Sequence, residues 1–273
     1  MKQSILHELK LGRTMLCVVV IVLAAMSAVR VPAFAKSAQA TRPTIVLVHG
    51  AWAGPSGWDE VVAALHKDGY NTAAPTLDLM SIAGDVAIVR AALDNIGGSK
   101  ILVGHSYGGI VISNAATGRS DVLALVYTAA FVPDTGDTIP SLGQGFVPSE
   151  AFNHLVFTGA PGASPVLIDP AFFPQFFAQD LNPKLAATLN ASQRPLNLQI
   201  LGTPSGPGAW HTLPCWYAVS GADLMIDPAE ERSMAQRACA TIVQFDDASH
   251  AGGFTHYATR FVKLIEQAVS ATS

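Results

Sequence analysis

One serine in the chain lies at a predicted turn that could expose its hydroxyl for reaction. The stretch "ILVGHSYGGIVISNAA" covers residues 101–116 and places Ser106 between Gly104 and Gly108. Apolar residues before the serine indicate a buried strand, and apolar residues after it recur at helical spacing. A sharp turn from strand to helix needs small flanking residues, and the N-terminus of the following helix favours developing negative charge. The pattern favours a nucleophilic serine, and a plain turn serine is the alternative.

Strands and helices that alternate along the chain must position this serine. Strands are predicted at 44–50, 70–75, 100–104, 121–131, 215–221 and 241–245, and helices at 57–69, 81–98, 107–116, 228–238 and 254–269. This alternation favours an α/β fold with a mostly parallel central sheet and helices on both faces. The alternation stops over about 133–213, a region rich in Phe, Pro and Gly. We predict that this region is an inserted lid carrying short helices, because a structureless loop of that length is uncommon.

The first 35 residues have the composition of a secretory signal. Basic residues precede an apolar run over 15–28, and Ala33 and Ala35 are small residues where a signal peptidase reads them. We expect cleavage before Lys36, export to the periplasm or the medium, and one mature domain over 36–273. An uncleaved membrane anchor is the alternative, which the short apolar run disfavours.

The charge of the mature chain argues against a nucleic-acid partner. Residues 1–35 hold four of the 16 basic and one of the 20 acidic side chains, so residues 36–273 have a formal net charge of −7. No basic cluster remains in that sequence, whereas proteins that bind nucleic acid concentrate Lys and Arg on one face.

A serine hydroxyl needs a neighbouring base before it can attack, and His250 is the best placed candidate. It lies in "FDDASHAGG", directly after the last predicted strand and before the last helix. A loop at that position rises from the same sheet edge as Ser106. A structural histidine is the alternative reading. Four other histidines lie within a helix or have no comparable position after a strand: His66, His154, His211 and His256.

Six stretches between residues 45 and 253 resemble the α/β-hydrolase superfamily. Their local sequences are similar to those of small exported bacterial serine esterases of that superfamily. They are "VLVHGAWAGPSGW", "LVGHSYGGIVI", "FVPDTGD", "QRPLNLQ", "WYAVSGADLMIDP" and "DDASHAGG". The resemblance implies hydrolysis of a carboxylic ester or similar acyl compound by a serine, a histidine and an acid. It implies no metal and no organic cofactor.

The resemblance implies that the acid is Asp223, which follows the strand at 215–221. Asp227 is predicted instead to cap the next helix, with Pro228 at the first helical position and Glu230 completing a capping box. Other carboxylates remain open as alternatives. Some superfamily members take the acid after the preceding strand, and two further carboxylates lie close to the base in sequence; these are Asp134, Asp137, Asp246 and Asp247.

The attack creates an oxyanion, which requires N–H donors already in place. The residue after the nucleophile supplies one of them, here Tyr107. The resemblance of "HGAW" to a donor loop places the second at Ala51. Trp52 is a candidate pocket wall or a core residue, and His105 is a structural or pocket-lining candidate. Both are candidates for substrate binding, whereas His49 is expected to support the loop.

Two cysteines of the mature chain open a further possibility. Cys215 begins a predicted strand and Cys239 follows a predicted helix, so both thiols fall at one end of the unit if these elements run antiparallel. A disulfide is therefore predicted, and two separate thiols are the alternative.

The expected activity is cleavage of small to medium esters with an apolar acyl or aryl group, since the region 133–213 is rich in Phe. A lactonase or amidase with the same three residues is an alternative, and a hydroxynitrile-lyase-like activity has weaker support. A hydrolase-like protein that only binds its ligand is a third alternative, because fold does not determine function.

We expect a small-molecule ester as partner and no stable membrane anchor after signal cleavage. The sequence does not indicate the oligomeric state.

Overall fold

The structure is a computed structural model, and it describes residues 42–159 and 165–272. The expected signal at 1–35 lies outside the described residues. Within the described ranges, no helix combines the length and the apolar character needed to cross a bilayer.

Nine strands are present in the described chain, and six of them form the central sheet. The strands are β1 Thr44–Val48, β2 Thr72–Ala73, β3 Lys100–His105, β4 Val122–Thr128, β5 Leu155–Phe157, β6 Pro165–Ile168, β7 Leu196–Asn197, β8 Cys215–Ser220 and β9 Thr241–Phe245. The central sheet has the order β2-β1-β3-β4-β8-β9, and every neighbouring pair is parallel. The predicted α/β class is confirmed.

Helices between and after the strands of this sheet flank it: α1 Asp59–Lys67, α2 Ile82–Asp94, α3 Gly108–Ala115, α7 Pro228–Arg237 and α8 Ala258–Thr272. Three further helices lie elsewhere in the described chain: α4 Ile139–Leu142, α5 Phe173–Phe177 and α6 Pro183–Ala191. Every residue of β3 is buried, as expected for a parallel strand covered on both faces. The last helix begins four residues later than predicted because a 3₁₀ turn occupies Gly252–Phe254.

The region 133–213 contains more than the short helices predicted for it. Helices α4, α5 and α6 lie there, and β5, β6 and β7 form a separate antiparallel sheet. Strands of two to four residues give too little alternation to be found in the sequence.

The parallel strands bring four loops to one edge of the sheet. Because all carboxyl ends of parallel strands meet at the same edge, the residues after β1, β3, β8 and β9 are neighbours in space. These residues include Ala51, Ser106, Asp223 and His250.

Candidate active site

Ser106 occupies a strained turn between β3 and α3. Its φ of 53° lies in the left-handed region, which is rare for a residue with a side chain. Three bonds hold the turn: the Ser106 N–H donates to the Thr128 carbonyl at 3.3 Å, and the Ser106 carbonyl accepts from Gly109 N at 2.9 Å and from Phe131 N at 3.2 Å. Such strain persists only where the surroundings impose it, and it is concentrated at functional sites.

The glycines around Ser106 are required by close backbone packing. A Cβ on Gly108 would lie 2.4 Å from the Val48 carbonyl oxygen, and one on Gly109 would lie 2.3 Å from the Phe131 carbonyl oxygen. A Cβ on Gly104 would lie 2.8 Å from the carbonyl oxygen of Gly108. Helix α3 therefore touches the backbone of both neighbouring loops, as the turn from strand to helix predicted.

His250 and Asp223 form a buried pair. His250 Nδ1 lies 2.7 Å from Asp223 Oδ2, and the two side chains are 1% and 0% exposed. The other carboxylate oxygen accepts from Met225 N at 2.6 Å and from Ile226 N at 3.0 Å. The carboxylate thus accepts a hydrogen bond from the Nδ1–H group, which leaves Nε2 as the nitrogen that can accept a proton.

His105 connects the serine turn to the loop of His250. Its Nε2 lies 3.1 Å from the His250 carbonyl oxygen, and the two imidazole rings are 4.6 Å apart between centroids. A carbonyl can only accept, so Nε2 of His105 carries the proton. Burial, and then the neighbouring His250, hold the pKa of His105 well below its ordinary value, so it stays neutral.

No hydrogen bond joins the Ser106 hydroxyl to His250 within residues 42–159 and 165–272. In enzymes without substrate, the bond between nucleophile and base is often long and tightens only when substrate binds. The structure therefore places the loop of Ser106 beside the loop of His250, with no hydrogen bond between these two side chains.

Two free N–H groups lie beside the serine. Among the described residues, the backbone N–H groups of Ala51 and Tyr107 have no hydrogen-bond acceptor. Ala51 is buried after β1, and Tyr107 is the residue before α3, so its N–H belongs to the positive end of that helix. Free donors at this edge are the groups that an oxyanion would need.

His49 supports the loop that carries Ala51. Its Nε2 accepts from Leu77 N at 3.1 Å, so Nδ1 carries the proton and donates to the Gly50 carbonyl at 2.9 Å. Burial lowers the pKa of His49 to about 4. A neutral imidazole with both nitrogens engaged is a structural group, as the sequence indicated.

Asp85 is a buried carboxylate at the site that sequence reasoning missed. It accepts from the Tyr107 hydroxyl at 2.8 Å and from the N–H groups of Asp78 and Leu79 at 2.8 and 3.1 Å. Asp85 thereby fixes the residue that follows Ser106. The signal was weak, because a single aspartate in the first turn of a helix is usually exposed.

Glu231 is a second missed residue. It is fully buried, and its Oε2 accepts from Ser220 N at 3.1 Å, whereas its Oε1 has no hydrogen-bond partner in the described chain. Burial first, and then the charge of the nearby Asp223, raise the pKa of Glu231 well above its ordinary value. The sequence did contain a signal for the burial of Glu231. It shares a helical face with Met234 and Ala235, which are buried.

The capping box predicted for α7 is wrong in one half. Asp227 caps the helix, since its Oδ1 accepts from Ala229 N at 2.8 Å. Glu230 does not return a bond to Asp227; its side chain is turned inward and the residue is only 6% exposed.

The remaining carboxylates proposed as alternatives for the acid have other partners or are exposed. Asp134 lies 3.1 Å from His211, and Asp137 lies 3.1 Å from Arg237. Asp246 accepts from the Gln244 side chain at 2.8 Å, and Asp247 is exposed.

The histidines that the sequence set aside also lie elsewhere. His66 bonds Thr72, His154 stacks on Phe172, and His256 lies 3.6 Å from Asp180.

Two cavities of different size flank the site. Trp52 and His105 line an enclosed space of about 20 Å³, which is room for one water molecule. A larger cavity of about 520 Å³ is lined by Phe131, Phe152 and Met225 among others. The Trp52 ring lies 6.2 Å from Phe152, so Trp52 stands between the two spaces.

The predicted disulfide is wrong. Both cysteines are free in the structure, with Cys215 buried and Cys239 exposed. The Cys215 thiol lies 3.4 Å from the Leu213 carbonyl, and burial raises its pKa to about 12. Both residues line one surface cavity, so they are close without being joined.

Comparison with known proteins agrees with this architecture. Residues 45–264 match the model of the alpha/beta hydrolase family. A carbendazim hydrolysing esterase of Nocardioides sp. (strain SG-4G) is 35% identical over 118 residues, which is 38% of this chain and 49% of that protein. The chain therefore spans about half the length of that relative. An alpha/beta hydrolase of Aspergillus novofumigatus is 26% identical over 217 residues, covering 72% of this chain and 84% of that protein.

Solved structures have the same fold. The crystal structure of a pyrethroid hydrolase from Sphingobium faniae JZ-2 has a TM-score of 0.69 at 23% identity, covering 84% of this chain and 98% of that one. The chain belongs to the alpha/beta hydrolase family.

Proposed function

We propose that the protein hydrolyses carboxylic esters with Ser106 as nucleophile, His250 as base and Asp223 as acid. The observation that carries the proposal is the buried 2.7 Å pair of His250 and Asp223 at the sheet edge where Ser106 stands in a strained turn. The family supports it, and so does the name of the Nocardioides relative, a carbendazim hydrolysing esterase.

The mechanism follows from the free groups of the site. His250 Nε2 takes the proton of the Ser106 hydroxyl as its oxygen attacks the ester carbonyl, and the N–H groups of Ala51 and Tyr107 hold the resulting oxyanion. The intermediate collapses to an acyl-serine, and the alcohol leaves with the proton from His250. A water molecule then gives its proton to His250 and attacks the acyl group, and the carboxylic acid leaves as the proton returns to Ser106.

Asp223 and its neighbours keep the imidazole in the productive tautomer. The carboxylate accepts from Nδ1 and is itself held by the N–H groups of Met225 and Ile226. Glu231 holds the end of the preceding strand, since its Oε2 accepts from Ser220 N at 3.1 Å. We assign Glu231 a positioning role, because it fixes the strand end that carries Asp223 and is itself fully buried.

The experiment is labelling with a fluorophosphonate, which reacts only with an activated serine. Wild-type protein is expected to be labelled, and Ser106→Ala is expected to be unlabelled and to lose ester hydrolysis. Ser120→Ala, which changes an exposed serine in a turn, is the matched control and should behave as wild type. Labelling that persists in Ser106→Ala would overturn the proposal, and a folded wild type with neither labelling nor hydrolysis would indicate a binding protein.

The reaction class is tested with aryl esters, triglycerides, lactones and amides. We expect aryl esters with a compact apolar acyl group to be cleaved fastest, because both cavities are lined mainly by apolar side chains. A lactone or amide cleaved faster than every ester would change the substrate class while retaining Ser106.

We also propose that the protein is exported and that the region 133–213 acts as a lid over the site. Export predicts a mature N-terminus at Lys36, which N-terminal sequencing of protein secreted by its host would show. An N-terminus at residue 1 or 2 would contradict it.

A further inference from the structure

The cavity of about 520 Å³ has an apolar lining that a single ionisable side chain interrupts. Aromatic and aliphatic side chains from both sides of the site form most of its wall, among them Phe131, Ile139, Leu198, Leu201 and Met225. Among the described residues that line it, only Glu230 can ionise. The Ser149 hydroxyl at its wall is engaged, since it donates to the Leu224 carbonyl at 2.7 Å.

Glu230 has a carboxyl oxygen with no partner. The residue is 6% exposed, and neither carboxyl oxygen has a hydrogen bond to the described chain; Oε1 is fully buried, whereas Oε2 keeps some accessible area. Oε2 and Oε1 lie 3.6 and 3.8 Å from where a Cβ on Gly143 would be, so the carboxyl lies against another residue of the cavity wall. Burial, and then the charges of Asp227 and Asp223, raise its pKa to about 7.

No structural role accounts for this carboxyl. The cap of α7 is made by Asp227, and Glu230 takes no part in it. A buried polar atom without a hydrogen bond destabilises the fold, and native structures keep few of them. Oε2, the unpaired oxygen that remains accessible, can accept a hydrogen bond from a donor that enters the cavity.

The cavity adjoins the proposed catalytic residues through two of its lining residues. Phe131 N donates to the Ser106 carbonyl at 3.2 Å, and Met225 N donates to Asp223 Oδ1 at 2.6 Å. The wall of the cavity is therefore in direct hydrogen-bond contact with the Ser106 turn and with Asp223. The volume falls within the usual range for small-molecule sites.

We propose that this cavity binds an apolar acyl or aryl group carrying one hydrogen-bond donor, such as a phenolic hydroxyl, and that Glu230 accepts that donor. The inference rests on the proposed function for its link to catalysis, whereas the binding preference stands without it. Glu230 is thus a specificity-determining residue, which distinguishes a hydroxylated substrate from its purely apolar analogue.

The test compares two matched probes, para-butylphenol and butylbenzene, by their dissociation constants from tryptophan fluorescence. The wild type is expected to bind the phenol about ten- to a hundred-fold more tightly, as a hydrogen bond to a buried acceptor allows. Glu230→Leu should lose this preference or reverse it. Glu230→Gln should keep much of it, because the amide carbonyl still accepts. Glu60→Gln, an exposed glutamate in α1, is the control and should leave the preference unchanged.

A kinetic arm separates this inference from the proposed function. The methyl esters of phenylpropanoic acid and of its para-hydroxy derivative should differ in kcat/KM by a similar factor, and Glu230→Leu should abolish the difference. Equal affinity of wild type for both probes, or a preference that survives in Glu230→Leu, overturns the inference. A phenol preference that depends on Glu230, in a protein that cleaves no ester, supports the binding site and refutes only the proposed function.

Discussion

The buried carboxyl of Glu230 predicts a specific change in how stability depends on pH. Its pKa in the folded protein is raised from the ordinary 4.5 to about 7, so the folded state binds more protons than the unfolded state between these values. Stability must then fall as the pH rises through that window. Glu230→Gln has no proton to lose at this position, so its free energy of unfolding should not show this part of the decrease.

The size of the effect follows from the two pKa values. Each pKa unit corresponds to about 1.4 kcal/mol, so the shift removes about 3 kcal/mol from the wild type between about pH 4 and pH 8. The free energy of unfolding of Glu230→Gln minus that of wild type should therefore rise by about 3 kcal/mol over the same range. Ionisable groups far from Glu230 are present in both proteins and largely cancel in the difference.

The assay is urea unfolding of both proteins at several pH values, followed by tryptophan fluorescence and far-UV circular dichroism, with coincidence of the two probes required. Glu60→Gln, which removes an exposed carboxylate, should show a nearly constant difference from wild type. A Glu230→Gln difference that does not change with pH would refute the reasoning, because the carboxyl would then be solvated as in the unfolded chain.

Three further predictions concern the site and its surroundings. Asp223→Asn should lower kcat by about 10⁴-fold while the protein stays folded, because the amide cannot hold the imidazole in the required tautomer; steady-state kinetics and circular dichroism check both. Gly108→Ala should destabilise the protein by more than about 2 kcal/mol by thermal unfolding, since its Cβ meets backbone. Gly97→Ala, with nothing within 4 Å of the added Cβ, should be nearly neutral. Cys239 should react rapidly with a thiol reagent and Cys215 only after unfolding, and mass spectrometry of the labelled peptides would show the order.

The central sheet could be predicted because its strands follow simple rules. A strand such as β3 is buried on both faces and reads as an unbroken apolar run ended by glycine, and the helices between strands have clear periodicity. The parallel order then places every strand end at one edge. From that alone, residues as distant in sequence as Ser106 and His250 were expected at one site.

The antiparallel sheet β5-β6-β7 could not be predicted, for the opposite reason. Its strands are short, the pair of β6 and β7 joins segments that are far apart in sequence, and β7 contributes two residues. Such strands are specified by the neighbours they pack against, and a local pattern does not record those neighbours.

The errors at α7 and at the cysteines have a common origin in local reasoning. Asp-Pro-Ala-Glu fits a capping box, yet Glu230 and Glu231 both turn towards the protein, because that face of the helix packs on the sheet. The disulfide was argued from the ends of two elements, and a bridge depends on distances that sequence does not contain. Local rules describe what a residue can do, and tertiary packing determines which of these it does.

The close approach of α3 to the carbonyls of Val48 and Phe131 has a consequence for laboratory evolution. A library randomised at Gly104, Gly108 and Gly109 should yield almost only insoluble protein, since the Cβ of any other residue would clash with buried main-chain atoms. New selectivity is better sought among the side chains on the cavity wall, where a change of shape leaves the scaffold untouched.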